Sequence, residues 1–165
     1  CVFVFNMESE MIQEGMQAID FNMFINDNEK INLDTYKGKH IVLYFYPKDD
    51  TPGCTKEAID FTQHKKDFES SNTVVIGVSA DSIKNHEKFK KKHNLDIVLG
   101  SDENKSVVES YEVWVEKSMY GKKYMGIDRT TVLINKDRII SKVWKKVSVP
   151  GHVDEVLKEV INLES

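Results

Sequence analysis

The spacing of apolar residues changes period several times along the chain, and each change predicts an element. Ile41 to Tyr46 is an unbroken apolar run, the pattern of a strand buried on both faces, and Pro47 ends it. From Cys54 to about Phe68 the period becomes helical, with Ala58, Phe61 and Phe68 on one face. Thr73 to Ser79 reads as a second buried strand. A helix is predicted next, from about Asp81 to His93, with Asp81 or Ser82 as its N-cap. Nearer the start, Asp20 to Leu33 predicts a small hairpin turning at Asn26-Asp27-Asn28. Ile97 to Leu99 predicts a short strand and Lys105 to Tyr111 a short helix. Thr131 to Ile134 and Ile139 to Val147 read as strands joined by the turn Asn135-Lys136-Asp137-Arg138. The last helix has the clearest signature: Val153, Val156, Leu157, Val160 and Ile161 recur at i, i+3, i+4, i+7 and i+8, after Pro150-Gly151.

Strands alternating with helices, then an antiparallel pair, describe an α/β protein with a central mixed β-sheet flanked by helices. A thioredoxin-like fold fits this order. The 165 residues suffice for one domain, expected over 15–165, with residues 1–14 as a flexible N-terminal extension. The opening Cys1-Val2-Phe3-Val4-Phe5 is expected to lie ahead of a true start at Met7.

Charge narrows the function. A net charge of −4 argues against a nucleic-acid binder, and the short runs Lys90-Lys91-Lys92 and Lys145-Lys146 read as solvated faces. No apolar run reaches the roughly 20 residues of a membrane helix. Cys1 and Cys54 are the only cysteines, too few for a disulfide framework and unaccompanied by zinc-ligand spacing. A reducing, cytoplasmic setting is the expectation.

The chemistry concentrates in Tyr46-Pro47-Lys48-Asp49-Asp50-Thr51-Pro52-Gly53-Cys54-Thr55-Lys56-Glu57, between a buried strand's carboxyl end and a helix start. Open α/β sheets place ligand sites at such ends. A thiol becomes a good nucleophile when ionised, and the unpaired amides and positive dipole of a first helical turn favour the thiolate. Gly53 lets backbone come close to a small substrate. Thr51, three residues before Cys54, offers a hydroxyl that can donate to one partner and accept from another. A lone cysteine is most often a small buried hydrophobe; two prolines and a glycine around a strand–helix junction turn the reading of Cys54 toward chemistry.

The same residues carry a family resemblance. Pro47-x-x-x-Thr51-x-x-Cys54 matches the peroxiredoxin active-site motif Pro-x-x-x-Thr/Ser-x-x-Cys. The stretch from Tyr44-Phe45-Tyr46-Pro47 to Cys54-Thr55-Lys56-Glu57 resembles the bacterioferritin comigratory protein, or peroxiredoxin Q, subgroup. The likeness continues through Ser79-Ala80-Asp81-Ser82, Tyr120-Gly121-Lys122-Lys123-Tyr124, Gly126-Ile127-Asp128-Arg129-Thr130-Thr131 and Val149-Pro150-Gly151-His152. The resemblance implies that Cys54 is the peroxidatic cysteine, that Thr51 bonds sulfur and peroxide, and that Pro47 shields the thiolate. It implies that Arg129 is the active-site arginine and that Glu57 orients it. Physically, a fixed cation beside sulfur lowers the thiol pKa and polarises the peroxide oxygen that receives charge. Taken alone, Arg129 would read as a surface ion-pair residue and Glu57 as a first-turn acid favourable to the dipole.

One departure stands out. Many subgroup members carry a resolving cysteine five residues after the peroxidatic one, and here that position is Ile59. A one-Cys cycle is therefore expected, in which thioredoxin, glutaredoxin or a small thiol recycles a Cys54 sulfenic acid formed by hydrogen peroxide or an alkyl hydroperoxide. No metal, haem or flavin is called for, and a monomer or weak dimer is expected. The alternative is a redox-sensing or holdase-like protein switched by Cys54 oxidation, which catalytic turnover with a thiol would separate. His40, His64, His86, His93 and His152 read as surface or helix-face residues. Trp114, Trp144 and the run from Ser118 to Gly121 read as core and loop contacts.

Overall fold

The computed structural model describes residues 12–164. Its strands are β1 (Met23–Phe24), β2 (Lys30–Ile31), β3 (His40–Phe45), β4 (Thr73–Ser79), β5 (Val98–Ser101), β6 (Trp114–Met119), β7 (Lys122–Ile127), β8 (Thr130–Ile134) and β9 (Ile140–Trp144). Its α-helices are α1 (Pro52–Gln63), α2 (Lys65–Ser70), α3 (Ile83–His93), α4 (Ser106–Ser110) and α5 (His152–Glu164), with a 3-10 turn at Leu33–Tyr36.

Among the described residues the main sheet runs in the order β2-β1-β5-β4-β3-β8-β9. β3 and β4 pair in parallel, as do β4 and β5, while β8 and β9 add antiparallel strands at one side. β3 is buried on both faces and its side chains alternate between two cores. Ile41, Leu43 and Phe45 join Ile76, Val78, Val132, Ile134 and Tyr111 on one side. Val42, Tyr44 and Tyr46 join Phe61, Phe68, Phe89, Leu133 and Val156 on the other, under α1, α2, α3 and α5. The period of two in strand side chains thus fixes which residues face the helices that carry the chemistry. Ile12, ahead of the expected domain boundary, also packs into the first core.

Three expectations need correction. The helix expected from Cys54 to Phe68 is broken at His64, whose backbone leaves helical geometry at φ −101° and ψ 13°. Two uninterrupted turns would separate Phe61 and Phe68 by about 10 Å along the axis. With the break, both are buried and their rings meet at 5.8 Å. Of the residues expected as core and loop contacts, Trp114 packs partly buried against the first core and Trp144 against the second, but the run from Ser118 to Gly121 closes a separate β6–β7 hairpin. Its tip turns at Tyr120 and Gly121, both at positive φ, the geometry a two-residue hairpin turn requires. Met119 and Tyr120 are exposed there rather than in a core. Of the five histidines, His40, His86 and His152 are buried; only His64 and His93 stay partly exposed. The opening segment from Cys1 to Phe5 and Met7 lie outside the described residues.

No helix among the described residues is long and apolar enough to cross a membrane.

Candidate active site

Pro47 follows β3 after one intervening residue, and the chain crosses a loop exposed at Pro47, Lys48 and Asp50 before α1 begins at Pro52. Thr51 is the N-cap, extended at φ −97° and ψ 154°, and its carbonyl accepts from the Thr55 amide at 2.8 Å. Pro52 fills the first helical position, where a missing N–H costs nothing. Cys54 therefore sits in the first turn, where backbone amides lack partners four residues back. It is also buried, at 1% exposure, among the apolar residues beneath α1.

Arg129 arrives from far along the chain for a topological reason. β8 runs antiparallel to β3, and Thr130 pairs with Phe45, so the residue before β8 stands beside the end of β3. The Val147 amide bonds the Arg129 carbonyl at 2.9 Å and holds the backbone there. From this place Nη2 donates to Cys54 Sγ at 3.4 Å and Nη1 donates to Glu57 Oε1 at 2.8 Å. Burial alone would lower the Arg129 pKa, but the negative charges of Cys54 and Glu57 and its bonds to both outweigh it and raise it. The cation is fixed.

Glu57 is wholly buried one turn after Cys54. Burial, only partly offset by Arg129, raises its carboxyl to about 7. Its second oxygen and the Tyr44 hydroxyl are buried without a hydrogen-bond partner among the described residues. Burial, then the nearby charges of Glu57 and Cys54, hold the Tyr44 phenol well above its ordinary pKa.

Gly53 has a sharper reason than substrate approach. A Cβ at this position would lie 3.1 Å from Arg129 Nη2 and 3.8 Å from its Cζ. The space left by the absent side chain is filled by the guanidinium. Thr51 Oγ1 donates to the Lys48 carbonyl at 3.0 Å, so its one proton is committed and its lone pairs remain to accept from another group. Pro47 is exposed at the rim of the loop. Ile59, on α1, packs partly buried against the second core.

The AhpC/TSA family profile matches residues 15–143, most of the chain. This chain belongs to the AhpC/TSA family, the peroxiredoxins. It is similar to the putative peroxiredoxin Bcp of Coxiella burnetii, with 49% identity over 146 residues covering 88% of this chain and 97% of that protein. Peroxiredoxin Bcp of Bacillus subtilis is 48% identical over 89% of this chain and 94% of its own. Among solved structures, a cysteine-to-serine mutant of Xylella fastidiosa PrxQ superposes with a TM-score of 0.88 at 34% identity, covering 93% of this chain and 98% of that one. The bacterioferritin comigratory protein of Xanthomonas campestris, described for its alkyl peroxide reduction activity, superposes with a TM-score of 0.83 at 34% identity over 88% of this chain and 92% of that one. The thioredoxin-like fold and the Bcp/PrxQ assignment follow, and with them a thiol peroxidase that takes a peroxide and a thiol reductant.

Around the Cys54 loop of this peroxiredoxin lie residues that sequence reasoning passed over. Asp49 is buried in the loop, and its carboxylate accepts from the Tyr46 hydroxyl at 2.6 Å and lies 2.6 Å from His86 Nδ1. The Asp49 amide donates to Asp81 Oδ2 at 2.8 Å, an oxygen that Ser79 Oγ also donates to. His152, at the start of α5, meets the Thr131 hydroxyl through Nε2 at 2.8 Å and stacks edge-on against Trp144. Burial and then the charge of Arg129 push its pKa down to about 4. The available signal for His86 was its place three residues before buried Phe89, on the inward face of α3.

Proposed function

We propose that this peroxiredoxin reduces hydrogen peroxide and alkyl hydroperoxides by a one-Cys cycle at Cys54. The observation that carries the reading is the 3.4 Å contact between Arg129 Nη2 and the buried Cys54 sulfur at a helix N-terminus. Two positive influences then act on one sulfur, the guanidinium and the helix end, and both favour the thiolate.

In the first step the Cys54 thiolate attacks the terminal peroxide oxygen. An S–O bond forms, the O–O bond breaks, and the leaving alkoxide or hydroxide takes a proton to become alcohol or water. Arg129 stabilises the charge that grows on the peroxide oxygens. Thr51 Oγ1 accepts from the peroxide O–H and orients it, while Pro47 screens the sulfur from water. Glu57 is a positioning residue that holds Arg129 by its buried carboxylate. An external thiol then attacks the sulfenic acid, releasing water and leaving a mixed disulfide, which a second thiol cleaves to restore Cys54. Thioredoxin is the reductant proposed, with glutaredoxin or a small thiol as the other sources of the same chemistry.

The activity of the Xanthomonas relative supports alkyl hydroperoxides as substrates here. The working unit is the domain over 15–165, acting as a monomer or weak dimer in the cytoplasm for antioxidant defence, without cofactor, metal or nucleic acid. Steady-state peroxide consumption with thioredoxin, glutaredoxin and glutathione compared side by side tests the reading. Turnover fastest with thioredoxin is the expected result; no turnover with any thiol would contradict a catalytic role.

A further inference from the structure

The loop that presents Cys54 is held by more than its own residues. Asp50 lies at φ 62°, a left-handed conformation that a side-chain-bearing residue adopts at some cost and that its surroundings must maintain. Two attachments run from this loop to α3. Asp50 meets Lys92 at 2.8 Å and His93 at 2.9 Å on the surface. Asp49 meets His86 at 2.6 Å in the interior, where His86 is 2% exposed and Asp49 is 8% exposed.

The interior attachment has an unusual hydrogen count. His86 Nε2 lies 3.0 Å from the Gly100 carbonyl oxygen, which only accepts, so Nε2 carries hydrogen. The 2.6 Å contact between Nδ1 and Asp49 Oδ2 holds a further hydrogen between two atoms that would otherwise present lone pairs to each other. The Tyr46 hydroxyl donates to the other Asp49 oxygen, so both oxygens are engaged. A chain of hydrogen bonds therefore links the β5 backbone, α3 and the Cys54 loop inside the protein. A surface ion pair such as Asp50–Lys92 contributes little; a buried charge-assisted bond, with both partners otherwise shut from water, contributes more.

We propose that His86 and Asp49 form a latch that positions the Cys54 loop for the peroxide step, His86 acting as a positioning residue through Asp49. The proposal rests on Cys54 as the peroxide-reactive residue. With the latch closed, Cys54 stays buried beside Arg129; with it open, the first turn of α1 loosens, the sulfur leaves the guanidinium and becomes reachable by a bulky reagent. The latch therefore trades peroxide reactivity against access to the sulfur.

The test uses the full chain and reads two rates at Cys54 by the mass of its own proteolytic peptide. One is oxidation by hydrogen peroxide at neutral pH. The other is alkylation by iodoacetamide at a pH high enough to ionise the thiol in every variant, so that this rate reports access alone. Asp49→Ala should slow oxidation on the order of 10-fold and speed alkylation several-fold, because misplacing a reacting group is costly to rate. Asp49→Asn should restore both rates, since its amide can donate toward Nδ1 and still accept the Tyr46 hydroxyl. If Asp49→Ala does not fold, His86→Leu attacks the latch from the helix side, keeps buried volume, and should give the same opposed pair of changes. Rates that fall together, or a loss that Asp49→Asn fails to rescue, mark general destabilisation and overturn the latch. Unchanged rates overturn it as well. A wild-type Cys54 that peroxide leaves untouched sinks the functional reading, and the latch with it.

Discussion

The Arg129 guanidinium donates to the Cys54 sulfur at 3.4 Å across a sequence separation of 75 residues. The contact exists because β8 lies antiparallel against β3 and brings its first residues beside the loop that β3 feeds. Arg129→Met removes the cation while keeping an unbranched side chain. Oxidation of Cys54 by peroxide should slow on the order of 100-fold, the usual scale for losing one group that stabilises developing negative charge. The pH at which Cys54 is half-alkylated by a neutral reagent should rise. Single-turnover oxidation followed with pH-dependent alkylation measures both, and an unchanged half-alkylation pH would remove Arg129 from the site.

Gly53 supplies a gentler version of the same test. An added Cβ would stand 3.1 Å from Arg129 Nη2, closer than ordinary packing allows, and the guanidinium must shift to relieve it. Gly53→Ala should slow the peroxide step by ~10-fold through that displacement. The helix itself should gain stability, by about 0.5–1 kcal/mol at an interior position and less near the end. A thermal melt beside the oxidation rate separates the two effects. Lower stability with normal oxidation would contradict this account of Gly53.

Two buried groups near Arg129 give stability opposite pH slopes. Burial raises the Glu57 carboxyl from 4.5 to about 7 against the pull of Arg129. Between those values the folded chain binds a proton that the unfolded chain does not, so its share of stability declines as pH rises through about 7. Burial, with Arg129 adding to it, lowers His152 from 6.5 to about 4. There the unfolded chain binds the extra proton, so stability declines as pH falls from 6.5 toward 4. Relative to wild type, His152→Gln should gain on the order of 2 kcal/mol as the solution is acidified, and Glu57→Gln should gain a similar amount as pH rises. Denaturant titrations across this range measure the differences. Curves for His152→Gln that stay parallel to wild type would contradict a buried neutral imidazole.

The parts of this protein legible in the sequence are those whose cause is local. The run Ile41 to Tyr46 declared a strand because every side chain in it is buried. Pro52 and Gly53 declared a helix start with Cys54 in its first turn. The β6–β7 hairpin was invisible because much of it is exposed on both faces, so no alternation of apolar and polar residues marks it. The buried histidines were invisible for a different reason. Their partners are distant: Asp49 is 37 residues from His86, and Thr131 is 21 residues from His152. Arg129 would have been equally obscure without the family motif, because only the sheet topology explains its place.

Resolution of the oxidised cysteine makes a further prediction. Cys54 is the only cysteine in residues 15–165, and Ile59, on α1, packs partly buried against the second core. Without a fast internal disulfide the sulfenic acid should persist until an external thiol arrives, and excess peroxide should drive it to sulfinic acid. A chain started at Met7 should gain one oxygen in intact mass after one equivalent of peroxide, show no internal disulfide, and still turn over with thiol. If removing Cys1 stops turnover and abolishes an abundant Cys1–Cys54 disulfide, the one-Cys cycle is wrong.

The central claim is that Cys54 is the atom source of the chemistry, and replacing its sulfur with oxygen tests it most directly. A serine hydroxyl is the right size for the site but does not ionise near neutral pH, so Cys54→Ser should fold as wild type does and consume no hydroperoxide above the uncatalysed rate with any thiol reductant. Peroxide consumption by Cys54→Ser at the wild-type rate would contradict the account.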